Sequence, residues 1–412
     1  MTLTRRSLLA AAAIVPAIQH RATMSHKLLL VTLDDVDARL WARARHPRID
    51  AIPACSFDVA WGSVLCSNFR ARRETGLAAH RTLMGANAGM PPHPNWALGT
   101  GTGALLAQLL PGSKVALGKW HLDGRSDPTT HPLDCGYDYY LGSWKNFPPE
   151  QGENYSGWTK TEMTRLRGVR TYWTTAYPTQ DTANDIRLEI NRHAELVQAS
   201  FNCAHAPFHV PPPHMHGHGN PEDDETKALA MLEAFDWCFG PVFVDALRRG
   251  YVVILTSDNG SATSIGGKKG SLYEIGGLRV PLLVWGPGVV PGSRAQMVQA
   301  TDLWETCLDV RGALGAAYSP DSISFWRICQ DPDIDGRTHI QCDAWSSVGE
   351  PPQPGDWKRA VRGARYKLWD LGGARRLYDL LLDPWEMTNL LQSTLSSEEE
   401  EAYEWLVERL PQ

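Results

Sequence analysis

Residues 27–33, KLLLVTL, form an apolar run that stops at two aspartates, Asp34 and Asp35. A short run of this kind predicts a strand buried on both faces that delivers carboxylates from its C-terminal end. Similar runs recur at 115–118 (VALG), 199–204 (ASFNCA), 251–260 (YVVILTSDNG) and 280–286 (VPLLVWG), each closing in polar or glycine-rich sequence. Between them, at 182–198 and 224–250, apolar residues recur at intervals of three and four, which predicts helices. The alternation predicts an α/β fold, a large mostly parallel sheet flanked by helices. Sheets of this type bind ligands beyond the carboxyl ends of their strands.

Two stretches lack this rhythm. Residues 142–177 are rich in Trp, Thr and Gly and read as an extended loop lining a site, with Trp144, Trp158 and Trp173 as candidate stacking residues. Residues 209–224, HVPPPHMHGHGNPEDD, read as a second loop; their prolines and lack of helical register favour a substrate-side loop over a metal site for the four histidines. After about residue 340 the pattern changes. WKRAVRGARYKLWDL and RRLYDLLLDPWEMTNLL predict short antiparallel strands, and 396–410 a closing helix. The expected organisation is a terminal segment at 1–23, an α/β catalytic domain at 24–340, and a C-terminal subdomain at 341–412 holding a small antiparallel sheet plus helix.

Composition narrows the partners. Net charge is −6 with no sustained basic run, so nothing recommends nucleic acid. The eight cysteines include no C-x-x-C pair or zinc-type spacing, and their wide separation permits disulfides without demanding them. The N-terminus, MTLTRRSLLAAAAIVPAIQHRA, resembles a twin-arginine export signal, and its apolar run is too short to span a bilayer. The expectation is a periplasmic or secreted protein without a transmembrane anchor; a start at Met24 would instead leave it in the cytoplasm.

The chemistry-bearing residues cluster at the predicted strand ends. Asp34 and Asp35 follow one strand and Asp258 and Asn259 another, and such oxygen donors suit a hard divalent cation, Ca²⁺ first and Mg²⁺ as the alternative. In LGKWHLDG, Lys119 and His121 are two apart and face the same way if the strand continues through them; such a pair could neutralise an anion and move a proton. CAHAPFHVP supplies His205 and His209, and GGKKGSLYEIGGLRVP supplies Lys268, Lys269 and Arg279. A tetrahedral oxyanion bridging a cation and these groups would use them together. Cys66, in VLCSNFRARRETG, reads by itself as a core thiol, although positive charge beside a thiol lowers its pKa.

Taken in order, these motifs resemble the type I sulfatases of the alkaline phosphatase superfamily, over Lys27 to about Leu391. Cys66, Arg70, Thr75 and Gly76 stand at the positions of the sulfatase signature, and VTLDD, GKWHL, HAP, SDNG, KGSLYEIGGLRVP and the YKLWDL…LYDLLLDPWEMTNL stretch resemble six further family motifs. The resemblance implies that a separate maturase oxidises Cys66 to formylglycine. One oxygen of the hydrated aldehyde then attacks sulfur, and the other hydroxyl later expels sulfate. It implies further that Asp34, Asp35, Asp258 and Asn259, with residue 66, hold the cation, and that Arg70 orients residue 66. Lys119 and His205 bind sulfate, His121 handles a proton, and Lys269 assists the leaving oxygen. This chain departs from the signature at Asn68, where proline is usual, and at Phe69, where Ser or Ala is usual. An extra residue, Ile275, leaves Lys268 as an alternative to Lys269, and Asp37 is a possible outer partner of the cation site. A phosphonate or phosphate ester hydrolase and an inactive binder of sulfated ligands remain the alternative readings.

Overall fold

The computed structural model describes residues 25–101, 104–147 and 157–412. The 1–23 segment read as an export signal, and the alternative start at Met24, lie outside them. In chain order the elements are β1 (Lys27–Leu33), α1 (Ala38–Arg43), β2 (Cys55–Trp61), α2 (Cys66–Thr75), α3 (Ala79–Thr82), α4 (Leu106–Leu109), β3 (Lys114–Gly118), α5 (His131–Asp134) and β4 (Tyr139–Gly142). There follow β5 (Trp158–Thr164), β6 (Gly168–Thr174), α6 (Pro178–Asn191), β7 (Leu196–Ser200), α7 (Asp224–Arg248), β8 (Tyr251–Ser257), β9 (Leu282–Trp285), β10 (Gly292–Gln299), α8 (Asp302–Val310) and α9 (Trp326–Gln330). The C-terminal part holds β11 (Ile340–Ala344), β12 (Lys358–Arg362), β13 (Tyr366–Leu371), β14 (Ala374–Asp379) and α10 (Ser397–Val407).

Ten strands form one sheet in the order β10-β2-β9-β8-β1-β7-β3-β4-β5-β6. Strands β8, β1, β7, β3 and β4 are parallel neighbours, as expected for buried apolar runs joined by helices. Side chains of β1 alternate between two cores. Leu28 and Leu30 join residues of α2, α4, α8 and α9, while Leu29, Val31 and Leu33 join α6 and α7. Burial on both faces is why the strand reads as an unbroken apolar run, each such side chain contributing about 1.5–3 kcal/mol.

The structure corrects several expectations. The 182–198 helix is two elements: α6 ends at Asn191, His193 takes a positive φ of 61°, and the chain re-enters the sheet as β7. A buried strand and a helix flank are indistinguishable by spacing over so few residues. For the same reason the strand placed at 199–204 lies at Leu196–Ser200. Strand β9 is antiparallel to both β8 and β2, because the connection from β8 contains no crossover helix. The 142–177 stretch is not a loop throughout; β5 and β6 form an antiparallel ribbon on the sheet edge. Its β-forming Thr, Val, Tyr and Trp residues carry the ribbon, while exposure of most of β6 hides the apolar pattern. Of the tryptophans assigned to it, Trp144 and Trp158 are buried and Trp173 is exposed.

The C-terminal sheet runs β11-β12-β13-β14, all antiparallel. Helix α10 covers it through Leu406, with Leu410 just beyond its end, both in one cluster with Leu368 and Leu377, and the helix begins in a capping box between Ser396 and Glu399. This sheet docks on the main domain through Trp61, Leu272 and Leu278 against Trp369 and Tyr378. Buried Glu274 spans the junction, accepting from Trp61 Nε1 at 2.8 Å and Arg362 Nη1 at 2.6 Å.

Candidate active site

Two neighbouring parallel strands create the acidic centre. Leu33 lies opposite Ser257 in the β1–β8 register, so the residues that follow, Asp34-Asp35 and Asp258-Asn259, emerge side by side. Asp35 has a positive φ of 61°, and the turn is held by Asp35 N–H donating to Asp258 Oδ1 (3.1 Å), Val36 N–H to Ser257 Oγ (3.0 Å) and Asp37 N–H to Ser261 Oγ (3.0 Å). Asn259 Nδ2 donates to Asp35 Oδ1 at 2.7 Å. Cys66 arrives as the first residue of α2, and Ser63 N–H ties the approach to the Asp258 carbonyl at 2.8 Å. Its Sγ lies 3.2 Å from Asp34 Oδ1 and 3.9 Å from Asp35 Oδ1, at the positive end of the helix dipole.

Cationic side chains ring these carboxylates. Strand β3 stops at Gly118, where φ is +78° and a Cβ would stand 2.0 Å from the Ser200 carbonyl oxygen. The chain therefore turns there, and Lys119 and His121 are not alternate residues of one strand, as the sequence reading supposed. Both are nonetheless buried beside Asp34: Lys119 Nζ bonds Asp34 Oδ2, and the electrostatic neighbours of His121 are Lys119, Arg70, Asp34 and His205. Arg70 Nη1 donates to the Lys119 carbonyl (2.6 Å) and Nη2 to Asp258 Oδ2 (3.3 Å). Lys269 Nζ donates to both oxygens of Asp35 at 2.6 and 2.7 Å and stands 3.6 Å from Cys66 Sγ. His205 Nε2 is 3.7 Å from Asp35 Oδ2.

Burial and charge set the protonation tendencies. Burial alone would raise the Asp34 carboxyl, but Lys119, His205, Arg70 and Lys269 hold it well below the usual range. Asp258 is pushed up to about 7 by burial and by Asp34. Burial, with Asp258 and Asp34, pushes the Cys66 thiol well up. Burial lowers His121 and His205, assisted at His121 by Lys119 and Arg70. Lys269 is raised, its neighbours Cys66, Asp35 and Asp34 outweighing burial.

The donor set fits a hard cation. Asp34, Asp35, Cys66 and His205 each offer a ligand atom within 4.8 Å of one another. Asn259 Oδ1, beside them, is buried with no hydrogen-bond partner. Buried and rich in carboxylate and carboxamide oxygens, such a site suits Ca²⁺ or Mg²⁺.

The structure separates the remaining candidates. Lys268 turns away from the centre and lies over the Tyr273 ring, 3.6 Å from its centroid. Asp37 caps α1, accepting from the N–H groups of Arg39 and Leu40, and its other carboxylate oxygen pairs with Arg39. Arg279 contributes its carbonyl to Ala38 N–H. His209 lines a cavity behind His205. Arg72 and Arg73 do not face Cys66: Arg72 bonds Asp343 and Asn68, and Arg73 bonds Thr32, Ser200 and Glu74.

The sequence reading missed several supports. Ser67 Oγ donates to the His121 carbonyl (2.7 Å) and accepts from Ala88 N–H (2.9 Å), while Asn87 Oδ1 accepts from Ser67 N–H (3.1 Å). Asn68 ties α2 to β11, its Nδ2 donating to the carbonyls of Met84 (2.9 Å) and Asp343 (3.1 Å) and its Oδ1 accepting from Arg72 Nε (3.0 Å). Position 68 was the one available signal: a polar residue where the signature has proline must find partners if buried.

A mostly parallel sheet with a ring of cationic side chains around acidic strand ends defines an α/β protein whose charged groups converge beyond the carboxyl ends of its strands. The profile described as Sulfatase matches residues 27–313, and the chain belongs to the sulfatase family. It is 27% identical to human N-acetylgalactosamine-6-sulfatase over 235 residues, 48% of this chain and 42% of that protein. The corresponding protein of Canis lupus familiaris is 26% identical over the same lengths. The match thus spans less than half of the curated relatives. Among solved structures, the yidJ protein of Bacteroides fragilis superposes with a TM-score of 0.74 at 16% identity, covering 93% of this chain and 94% of that one. The PsFucS1 sulfatase from Pseudoalteromonas sp. gives 0.66 at 17%, covering 94% and 90%. A protein crystallised with its substrate D-glucosamine-2-N,6-O-disulfate gives 0.71 at 15%, covering 93% and 97%.

Proposed function

We propose that the protein hydrolyses sulfate esters of carbohydrates, with Cys66 converted to formylglycine and a divalent cation, Ca²⁺ before Mg²⁺, held by Asp34, Asp35, Asp258 and Asn259 together with residue 66. The observation that carries the reading is the convergence of Cys66 on Asp34 and Asp35 inside a ring made by Lys119, Arg70, His205 and Lys269. The carbohydrate class is drawn from the names of the relatives, which act on or were crystallised with sulfated amino sugars.

A divalent cation here supplies Lewis acidity and positive charge to the reacting oxygens. A hydrated aldehyde at residue 66 supplies the nucleophilic oxygen. Lys119, on Asp34, and His205, beside Asp35, bind sulfate oxygens. Arg70 fixes the base of the site, anchored to the Lys119 carbonyl and Asp258. Lys269, 3.6 Å from Cys66 Sγ and held protonated by its acidic neighbours, protonates the leaving oxygen. His121, buried and kept neutral, accepts the proton of the residue-66 hydroxyl when sulfate departs. Maturation and export, through the 1–23 segment, belong to the same reading.

The test is mass spectrometry of the peptide containing residue 66 from protein coexpressed with a formylglycine-generating maturase, paired with turnover of sulfated hexosamines and p-nitrophenyl sulfate before and after chelation. Conversion with chelator-sensitive turnover supports the proposal. Full conversion without turnover on any sulfate ester, in the presence of Ca²⁺ and Mg²⁺, refutes it. One observation favours a second reading: Asn68 occupies the signature's proline position with its carboxamide committed to the fold. If residue 66 stays a thiol, the same cationic ring makes a binder of sulfated ligands. Affinity of the unconverted protein for a sulfated hexosamine, with no turnover from coexpressed protein, selects that reading.

A further inference from the structure

Behind His205 lies a cavity that none of the roles above uses. His205 is common to both places: its Nε2 faces Asp35, and its ring forms part of the cavity wall. The other walls are largely apolar and come from separate elements: Trp158 of β5, Tyr177 at the entry to α6, Pro207 after β7 and Met231 of α7. Packing fixes their positions. Trp158 Nε1 donates to the Ala176 carbonyl at 3.0 Å, the Phe147 ring stands 5.4 Å from Trp158, and Tyr177 meets His209 edge-on at 6.0 Å. The space open to the centres of water-sized spheres is ≈ 30 Å³. That is the room of about two or three waters, enough for a chain of two or three heavy atoms and too little for a ring.

We propose that this cavity receives a short acyl or alkyl substituent carried by the sulfated substrate near its ester, and that Met231, Trp158 and Tyr177 thereby set substrate preference. The inference rests on the sulfate-ester reading. An apolar-walled pocket returns few hydrogen bonds to water, so filling it with carbon is favourable, at about fourfold in affinity or kcat/KM per methyl or methylene buried. Selectivity comes from size: a group that fits gains, and one that overfills must force rigid walls apart.

The experiment measures kcat/KM of the converted protein on glucosamine 6-sulfate and galactosamine 6-sulfate bearing N-formyl, N-acetyl, N-propionyl or N-benzoyl groups, which differ in size and not in charge. A rise of about fourfold from formyl to acetyl, held or extended at propionyl and lost at benzoyl, is expected. Met231→Phe, which fills the cavity, should level the formyl, acetyl and propionyl members. Met231→Leu, nearly the same volume, should keep both the fold and the preference. Equal rates across the series, a continued rise through benzoyl, or an undiminished preference in Met231→Phe overturns the inference. Turnover of p-nitrophenyl sulfate with none of the hexosamine series overturns it while leaving the sulfate-ester reading intact. Inactivity on every ester overturns both.

Discussion

Replacing Asn68 tests whether the departure from the signature is built into the fold. Its carboxamide is fully buried and joins three segments: α2 through Arg72, the segment after α3 through the Met84 carbonyl, and β11 through the Asp343 carbonyl, with the Ser63 hydroxyl on the same Oδ1. In Asn68→Ala, the Asp343 carbonyl keeps the Arg72 Nη2 donor at 3.1 Å, and the Ser63 hydroxyl keeps its 3.7 Å contact with Cys342 Sγ. Two groups lose the bond in question, the Met84 carbonyl and the cationic Arg72 Nε. At about 1–3 kcal/mol for each buried group left unsatisfied, the loss is about 2–6 kcal/mol. For a chain of this size, where about 1 kcal/mol moves the midpoint by roughly 1 °C, that lowers the melting temperature by roughly 2–7 °C.

Asn68→Pro makes the same loss and restores the signature. It costs no intrahelical bond, because Asn68 lies in the first turn of α2, where backbone N–H groups have no partner four residues back. The added restriction on Ser67 is small beside the lost carboxamide. The expected result is a fold destabilised like Asn68→Ala together with a larger converted fraction at residue 66 on coexpression with the maturase. Differential scanning calorimetry reads the first and peptide mass spectrometry the second. Melting within about 1 °C of wild type for both variants would show that the carboxamide network carries no weight, and the structural explanation of Asn68 would be withdrawn.

Three further outcomes follow from the geometry. Gly118→Ala should cost well over the 1–2 kcal/mol of a positive φ, because its Cβ meets the Ser200 carbonyl at 2.0 Å, whereas Gly373→Ala, with φ +99° and nothing within 4 Å, should cost about that strain alone; thermal melts of the pair check this. Lys269→Met should lower kcat/KM on a sulfate ester by about 10²–10⁴-fold and Lys268→Met by less than about fivefold, since only Lys269 reaches Asp35 and Cys66; steady-state kinetics of the converted variants decide. His131 accepts from Trp120 Nε1 (2.9 Å) and donates from Nε2 to the Leu98 carbonyl (2.8 Å), so the folded protein needs it neutral, and burial lowers its pKa from about 6.5. Its contribution is complete above that value and is lost as pH falls through the lower folded-state value, so His131→Gln should flatten the decline of melting temperature as pH falls below about 6.5.

Legibility in the sequence followed burial. Strands β1, β3 and β8 are covered on both faces, so their apolar runs announced them, and with them the Asp34-Asp35 and Asp258-Asn259 pairs at their ends. Edge elements were opaque. Strand β10 alternates irregularly across a register shift between Arg294 and Met297, and β6 is mostly exposed, so neither carries an apolar signature. Lys119 and His121 were found for an incorrect local reason, a continuing strand, because positive φ at Gly118 cannot be inferred from composition alone. The choice between Lys268 and Lys269 needed coordinates as well: adjacent residues point differently, and only the bend of the glycine-rich segment decides which reaches Asp35. Asn68 and Asp343 lie 275 residues apart, a separation over which no periodicity speaks.

The charges explain why this site is assembled from so many distant segments. Asp34, Asp35 and Asp258 bring three carboxylates into one buried place, and Lys119, Lys269 and Arg70 set three cations directly against them. Paired in this way the cluster is close to neutral, which is the condition for burying it at all. Under the proposed function, Asp34, Asp35 and Asp258 would hold the divalent cation, which would take over part of their charge and leave Lys119 and Lys269 with positive charge to spare. That surplus faces the space beside Cys66, where an anionic sulfate ester would sit. On that reading, cation and anion would each favour the other's binding, without a conformational change being required. The same bookkeeping accounts for the buried arginines of α2. Arg72 and Arg73 carry their own partners, Asp343 and Glu74, so that they hold the helix bearing Cys66 in place without adding charge to the balance at its N-terminus.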